Sequence, residues 1–125
     1  MNETHMETIA ECLRTYLSMN YDEARTMPPE FYTSETQFEH ERERLFRSEW
    51  ICLGRVQQIP NAGDYFTTTS INEPLIVVRT KPDQIAVLSN VCRHRGSVLV
   101  EGIGNTKSFI CPYHAWTYDL DGQLR

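Results

Sequence analysis

Hydrophobic and polar positions along the chain change period once, near Trp50. Before it, apolar residues recur at helical spacing. Met6, Ile9, Leu13, Tyr16 and Leu17 line one face of a predicted helix over residues 4–18, with Thr4 and Glu7 as a capping box at its start. Residues 19–33 form a connection in which Pro28-Pro29 favours extended backbone. A second helix is expected from Ser34, where Ser34-x-x-Gln37 makes another capping box. Phe38, Leu45 and Phe46 mark its buried face, and Glu43 with Arg47 forms an i,i+4 pair on the wet one. From Trp50 onward the pattern is that of strands. Trp50–Leu53, Asp64–Thr69, Pro74–Thr80 and Gln84–Asn90 are rich in aromatic and β-branched residues, and Ser108–Cys111 and Ala115–Leu120 follow. Turns fall at Pro60-Asn61-Ala62-Gly63, Asn72-Glu73-Pro74, Lys81-Pro82-Asp83-Gln84 and Asp121-Gly122.

Short antiparallel strands at this spacing predict a mainly β fold, a small antiparallel β-sandwich or partly open barrel preceded by two N-terminal helices. The expected divisions are 1–33 for the first helix and linker, 34–49 for a helix packing on the domain, and 50–125 for the strands. A chain of 125 residues has room for one such domain and little more.

Charge changes the picture modestly. The net charge is −5, which gives no electrostatic reason to expect nucleic acid or an anionic membrane as partner. Residues 1–50 hold eleven acidic and five basic residues, whereas 51–125 hold six and seven. The strand region is thus near neutral and the acidity belongs to the helices. No secretory leader pattern opens the chain, and no apolar stretch reaches transmembrane length, so a cytoplasmic location is expected.

Candidate chemistry sits in residues 92–114. Cys92-Arg93-His94 and Cys111-Pro112-Tyr113-His114 are separated by sixteen residues, and each offers one thiolate and one imidazole. Thiolates suit zinc or iron–sulfur clusters and imidazole suits zinc, copper and iron, so a structural zinc and a [2Fe–2S] cluster are both open on donor type. Ligands as close as Cys-x-His are cramped around one tetrahedral ion and comfortable on two neighbouring irons. Gly96 lets the first loop turn sharply, and Pro112 stiffens the second. Cys12 and Cys52 lie in apolar settings and read as buried small hydrophobes. His40 has no histidine at i+4 and is not expected to bind metal. Gly102-Ile103-Gly104 has Lys107 where a phosphate loop needs a third glycine, and is set aside.

The stretches Cys92-Arg93-His94-Arg95-Gly96 and Cys111-Pro112-Tyr113-His114-Ala115-Trp116-Thr117-Tyr118-Asp119-Leu120-Asp121-Gly122 resemble the paired motifs of Rieske non-haem iron oxygenases. The resemblance to the large (alpha) subunits of aromatic ring-hydroxylating members begins near Pro28-Pro29-Glu30-Phe31-Tyr32 and runs through both loops. It implies an N-terminal Rieske domain holding one [2Fe–2S] cluster on Cys92, His94, Cys111 and His114, with the thiolates on the inner iron and the imidazoles on the outer. It implies a ferredoxin or reductase as electron donor, a trimer-type homo-oligomer, and His114 as the electron exit toward a mononuclear Fe(II) in a catalytic domain. The chain offers no match to that domain's two-His-one-carboxylate triad, so it reads as an electron-transfer piece of a dioxygenase of aromatic hydrocarbon catabolism, without oxygenase activity of its own. A free-standing Rieske ferredoxin is the alternative, weakened by the N-terminal extension. By their charge Arg93 and Arg95 either guide an acidic donor or pair with local carboxylates and loop carbonyls, and Trp116 reads either as cover for one side of the cluster or as an ordinary core tryptophan. Respiratory-type members add a disulfide between the loops and a serine two residues after the second histidine. Ser97, Tyr113 and Trp116 occupy those places here, which implies a low potential.

Overall fold

A computed structural model describes residues 3–125, with the side chains of 3–8 and 10 outside the description, and the chain divides into two compact units between Trp50 and Ile51. In the first unit, helix α1 spans Glu3–Leu17, within a residue of expectation. The Thr4–Glu7 capping box and Met6 lie outside the described side chains. The Tyr16 hydroxyl donates to the Thr26 carbonyl at 3.2 Å and ties the connection back to the helix. Pro29 departs from the extended geometry expected of it: at φ −53° and ψ −31° it opens a single helical turn, α2, over Glu30–Thr33. Only the residue before a proline is kept out of the helical region, and Pro29 precedes a glutamate.

Ser34 caps α3 (Glu35–Glu41) as expected, its hydroxyl accepting from the Gln37 amide at 3.3 Å. The Glu43–Arg47 pair also forms, at 3.1 Å. The predicted buried face does not. Phe38 and Leu45 are 44% and 47% exposed, and among the described residues of this unit only Gln37 is buried. The helix continues over Arg42–Phe46 with π geometry, whose wider turn moves Leu45 and Phe46 off the stripe that an α-helix would align with Phe38.

The second unit is the strand domain. β1 (Asp64–Ser70), β2 (Glu73–Lys81), β3 (Gln84–Ser89) and β4 (Ile103–Asn105) form an antiparallel sheet in the order β3-β2-β1-β4. β5 (Phe109–Ile110) and β6 (Thr117–Tyr118) form a separate two-stranded ladder. The β1–β2 turn lies one residue earlier than expected: Ile71 and Asn72 both take positive φ, the geometry of a tight hairpin turn, and Ser70 pairs with Glu73. Trp50–Leu53 forms no strand. Cys52 is consequently exposed rather than buried, its sulfur 3.8 Å from the Gly54 carbonyl. Cys12, by contrast, is half-buried.

Ile76, Val77 and Val78 of β2 are all buried, so the sheet carries apolar cover on both faces. Val77 joins Ile59 and Phe66, with Leu53 against them. Ile76 and Val78 face the other way, into a core shared with Phe109, Tyr118, Cys92 and Cys111. Each of those two aliphatic side chains contributes about 1.5–3 kcal/mol by its removal from water. Tyr65 meets Phe109 edge to face at 5.5 Å, which joins the small ladder to the sheet. The mainly β, antiparallel architecture is the one expected. β4 was not anticipated. Its Gly104 stands opposite Tyr65, and a Cβ there would come within 2.8 Å of the Tyr65 hydroxyl.

Candidate metal centre

The four predicted donors occupy two loops at one end of the strand domain. The first leaves β3 through Asn90, and the second spans the turn from β5 to β6. Each loop is closed by the same two backbone bonds. The Cys92 amide donates to the Ser97 carbonyl at 2.8 Å, and the Gly96 amide to the Cys92 carbonyl at 2.9 Å. The Cys111 amide donates to the Trp116 carbonyl at 2.8 Å, and the Ala115 amide to the Cys111 carbonyl at 2.9 Å. The fifth residue of each loop is left-handed: Gly96 at φ 69° and Ala115 at φ 58°.

This frame sends thiols inward and imidazoles outward. Cys92 and Cys111 are 1% and 3% exposed and neither is in a disulfide. His94 and His114 are exposed, with ring centroids 4.7 Å apart and planes at 70°. Trp116 lies parallel to His94 at 4.8 Å and 10°, and Tyr113 sits against His114 at 3.8 Å. At the two positions that would carry a second cysteine pair, Ser97 donates to the Val98 carbonyl and Tyr113 stands largely exposed beside His114.

Electrostatics favour a thiolate at Cys92. The Tyr118 hydroxyl, 3.4 Å from its sulfur, holds the thiol below its usual range, and the backbone amides of His94 and Arg95 and the Cys111 side chain act in the same sense against burial. The same sulfur, together with burial, holds the Tyr118 hydroxyl above its usual range. Tyr118 also accepts from the Arg93 amide at 3.0 Å, which leaves its own proton for the sulfur. Tyr118 was not singled out from the sequence; its alternation with Thr117 on a short strand was the one available signal.

Asn90 was likewise missed. Only 3% exposed, it donates to the Val100 carbonyl at 2.7 Å and accepts from the Leu99 and Val100 amides at 3.1 Å each. It thereby fixes both ends of the first loop.

The donors come as an inner sulfur pair and an outer nitrogen pair, and among the described residues no three His, Cys, Asp or Glu side chains converge on a single ion's position. Paired donors suit two adjacent irons and fit a [2Fe–2S] group of mixed ligation.

Comparison with known proteins agrees. A family model described as the Rieske [2Fe-2S] domain matches residues 49–125. The carnitine monooxygenase oxygenase subunit of Escherichia coli (strain K12) is 44% identical over 106 residues, covering 84% of this chain and 28% of that protein. The biphenyl 2,3-dioxygenase subunit alpha of Rhodococcus jostii (strain RHA1) is 44% identical over 99 residues, covering 78% and 22%. Among solved structures, the quaternary ammonium Rieske monooxygenase CntA in its apo form superposes with a TM-score of 0.76 at 42% identity, over 82% of this chain and 30% of that one.

Residues 49–125 are therefore a Rieske domain, which binds a [2Fe–2S] cluster, and the zinc alternative falls away. Through residues 49–125 the chain belongs to the Rieske [2Fe–2S] domain family, and it spans less than a third of the length of the oxygenase subunits named. Among the described residues no helix is long and apolar enough to cross a membrane.

Proposed function

We propose that this chain is the electron-relay portion of a Rieske oxygenase, with Cys92, His94, Cys111 and His114 as the cluster ligands. The observation that carries the assignment is the buried thiol pair set beneath the adjoining, exposed imidazole pair. A bound [2Fe–2S] cluster supplies a one-electron reservoir, and neutral imidazole on one iron raises its potential above that of an all-thiolate cluster.

The chain's own residues do the rest. Cys92 and Cys111 present thiolates from a dry core, Tyr118 donates to the Cys92 sulfur, and the exposed edges of His94 and His114 meet the partner. His114 is the electron exit. Arg93 and Arg95 are exposed and carry no ion pair among the described residues, so their guanidinium groups are free to meet an acidic ferredoxin or reductase. The acceptor is a mononuclear Fe(II) on a catalytic domain of a homo-oligomeric oxygenase in the cytoplasm. The substrate class is a small molecule that becomes hydroxylated. An aromatic hydrocarbon was expected, and the relatives' names support both that class and carnitine. The domain limits follow the same reading: 1–33 and 34–49 as helical additions and 50–125 as the cluster domain.

The assignment is tested by cofactor content. Reconstituted protein should be red-brown, and alanine at Cys92, His94, Cys111 or His114 should abolish the coloured form, while Cys12→Ser and Cys52→Ser keep it. Loss of colour in either control with the fold retained would show the ligand set to be wrong. Chemically reduced chain offered carnitine, benzene or biphenyl should give no hydroxylated product; turnover by this chain alone would refute the relay reading. Its midpoint should lie in the lower half of the Rieske range of roughly −150 to +300 mV, which protein-film voltammetry measures. Trp116 cannot copy a serine donor, although the Tyr118 bond offsets part of that loss.

A further inference from the structure

Trp116 belongs to the second loop by its backbone and touches the first loop by its side chain. Its carbonyl is held by the Cys111 amide at 2.8 Å, while its indole lies over the His94 ring at 4.8 Å and 10°. His114 meets the other loop only edge to face, through His94 at 4.7 Å and 70°, and the ring nearest it, Tyr113, adjoins it in sequence on its own loop. The two cysteines of the loops are free thiols, and Ser97 and Tyr113 cannot form a covalent bridge between them. Neither loop is crossed to the other by an ion pair among the described residues. The indole is half-buried and packs against the core of the strand domain, so it cannot swing away without losing contact area.

We infer that Trp116 is a positioning residue that clamps the two cluster loops together by stacking on the His94 imidazole, fixing that ring's plane and slowing cluster release. The inference rests on the ligand assignment proposed above, and His94→Ala separates the two: retention of the cluster in that variant would overturn the assignment itself.

The clamp is tested by replacing the ring while keeping bulk. Trp116→Leu should release iron to a ferrous chelator faster than the parent by roughly three- to tenfold, the factor to which aromatic pairing of this kind converts, and Trp116→Phe should restore most of the slow rate. Equal release rates for parent and Leu variant would overturn the clamp. A second measurement needs neither the cluster nor a change at Trp116. In apoprotein carrying Trp50→Phe, Trp116 is the only tryptophan, and its emission reports contact with His94. His94→Ala should raise that emission and its accessibility to acrylamide, whereas His114→Ala should leave both near the parent values. No change with His94→Ala, or an equal change with His114→Ala, would overturn the inference even if every Trp116 variant failed to fold.

Discussion

The two Cys/His loops, Cys92–Ser97 and Cys111–Trp116, are built on one backbone plan and differ in where they place the histidine. Both run six residues, close with the same pair of hydrogen bonds and turn through a left-handed fifth residue. Both bury their cysteine to the same depth. The histidine is third in the first loop and fourth in the second, and the two rings accordingly cross at 70° rather than lie parallel. A repeated frame thus delivers equivalent sulfurs and inequivalent imidazoles. The loops also differ in their footing. The second is rooted in the β5–β6 ladder, in which Phe109 pairs with Tyr118. The first has no ladder of its own beyond the Val91–Val98 bridge and depends on one buried side chain, Asn90.

That difference predicts which loop fails first. Asn90→Ala leaves one buried carbonyl and two amides without their partner and should cost about 3 kcal/mol. Asn90→Asp keeps the acceptor but turns a buried carboxylate oxygen toward the Val100 carbonyl, so it should cost no less than Asn90→Ala. Urea unfolding of the apoproteins measures both. If Asn90→Ala were as stable as the parent, the first loop would have a footing other than Asn90.

Tyr118 crosses the comparison, since it stands on the second loop's strand and serves the first loop's cysteine. Tyr118→Phe removes the donor to the Cys92 sulfur and strands the Arg93 amide, which should cost about 1–2 kcal/mol. The midpoint should fall, because donation to sulfur favours the more negative reduced state. Voltammetry of the variant decides it; an unchanged or higher midpoint would place the hydroxyl proton elsewhere.

Much of this was legible in the chain because the chemistry is local. A cysteine and a histidine two or three residues apart announce a donor pair wherever they fold, and the strands at 64–69, 74–80 and 84–90 show their alternation within a few residues. What could not be read depends on residues distant in sequence. Cys52 sits in an apolar run that reads as a strand, yet with no neighbour to pair, residues 50–53 stay irregular and the thiol faces water. The stripe Phe38–Leu45–Phe46 assumes α-helical spacing, and the π turn at Arg42–Phe46 breaks it. Asn90 and Tyr118 look ordinary in sequence. Their roles exist only once residues 99–100 and 92–93 fold against them.

The smallest expected effect tests the shared frame most directly, through the residue at which the loops differ in type. Both fifth positions are left-handed, a conformation that costs a residue with a Cβ roughly 1–2 kcal/mol and costs glycine little. Gly96 has open space where a Cβ would go, so Gly96→Ala meets no clash and should lose about 1 kcal/mol from backbone strain alone. Ala115→Gly relieves the same strain in the second loop. The extra freedom of glycine in the unfolded chain offsets part of that relief, leaving a gain of about 0.5 kcal/mol. Equal frames require opposite signs from the two substitutions, with the double variant near the parent. Differential unfolding of the three apoproteins reads the signs. Destabilisation by Ala115→Gly would mean that the Ala115 methyl does packing work which Gly96 has no counterpart for, and that the two loops are alike in hydrogen bonding only.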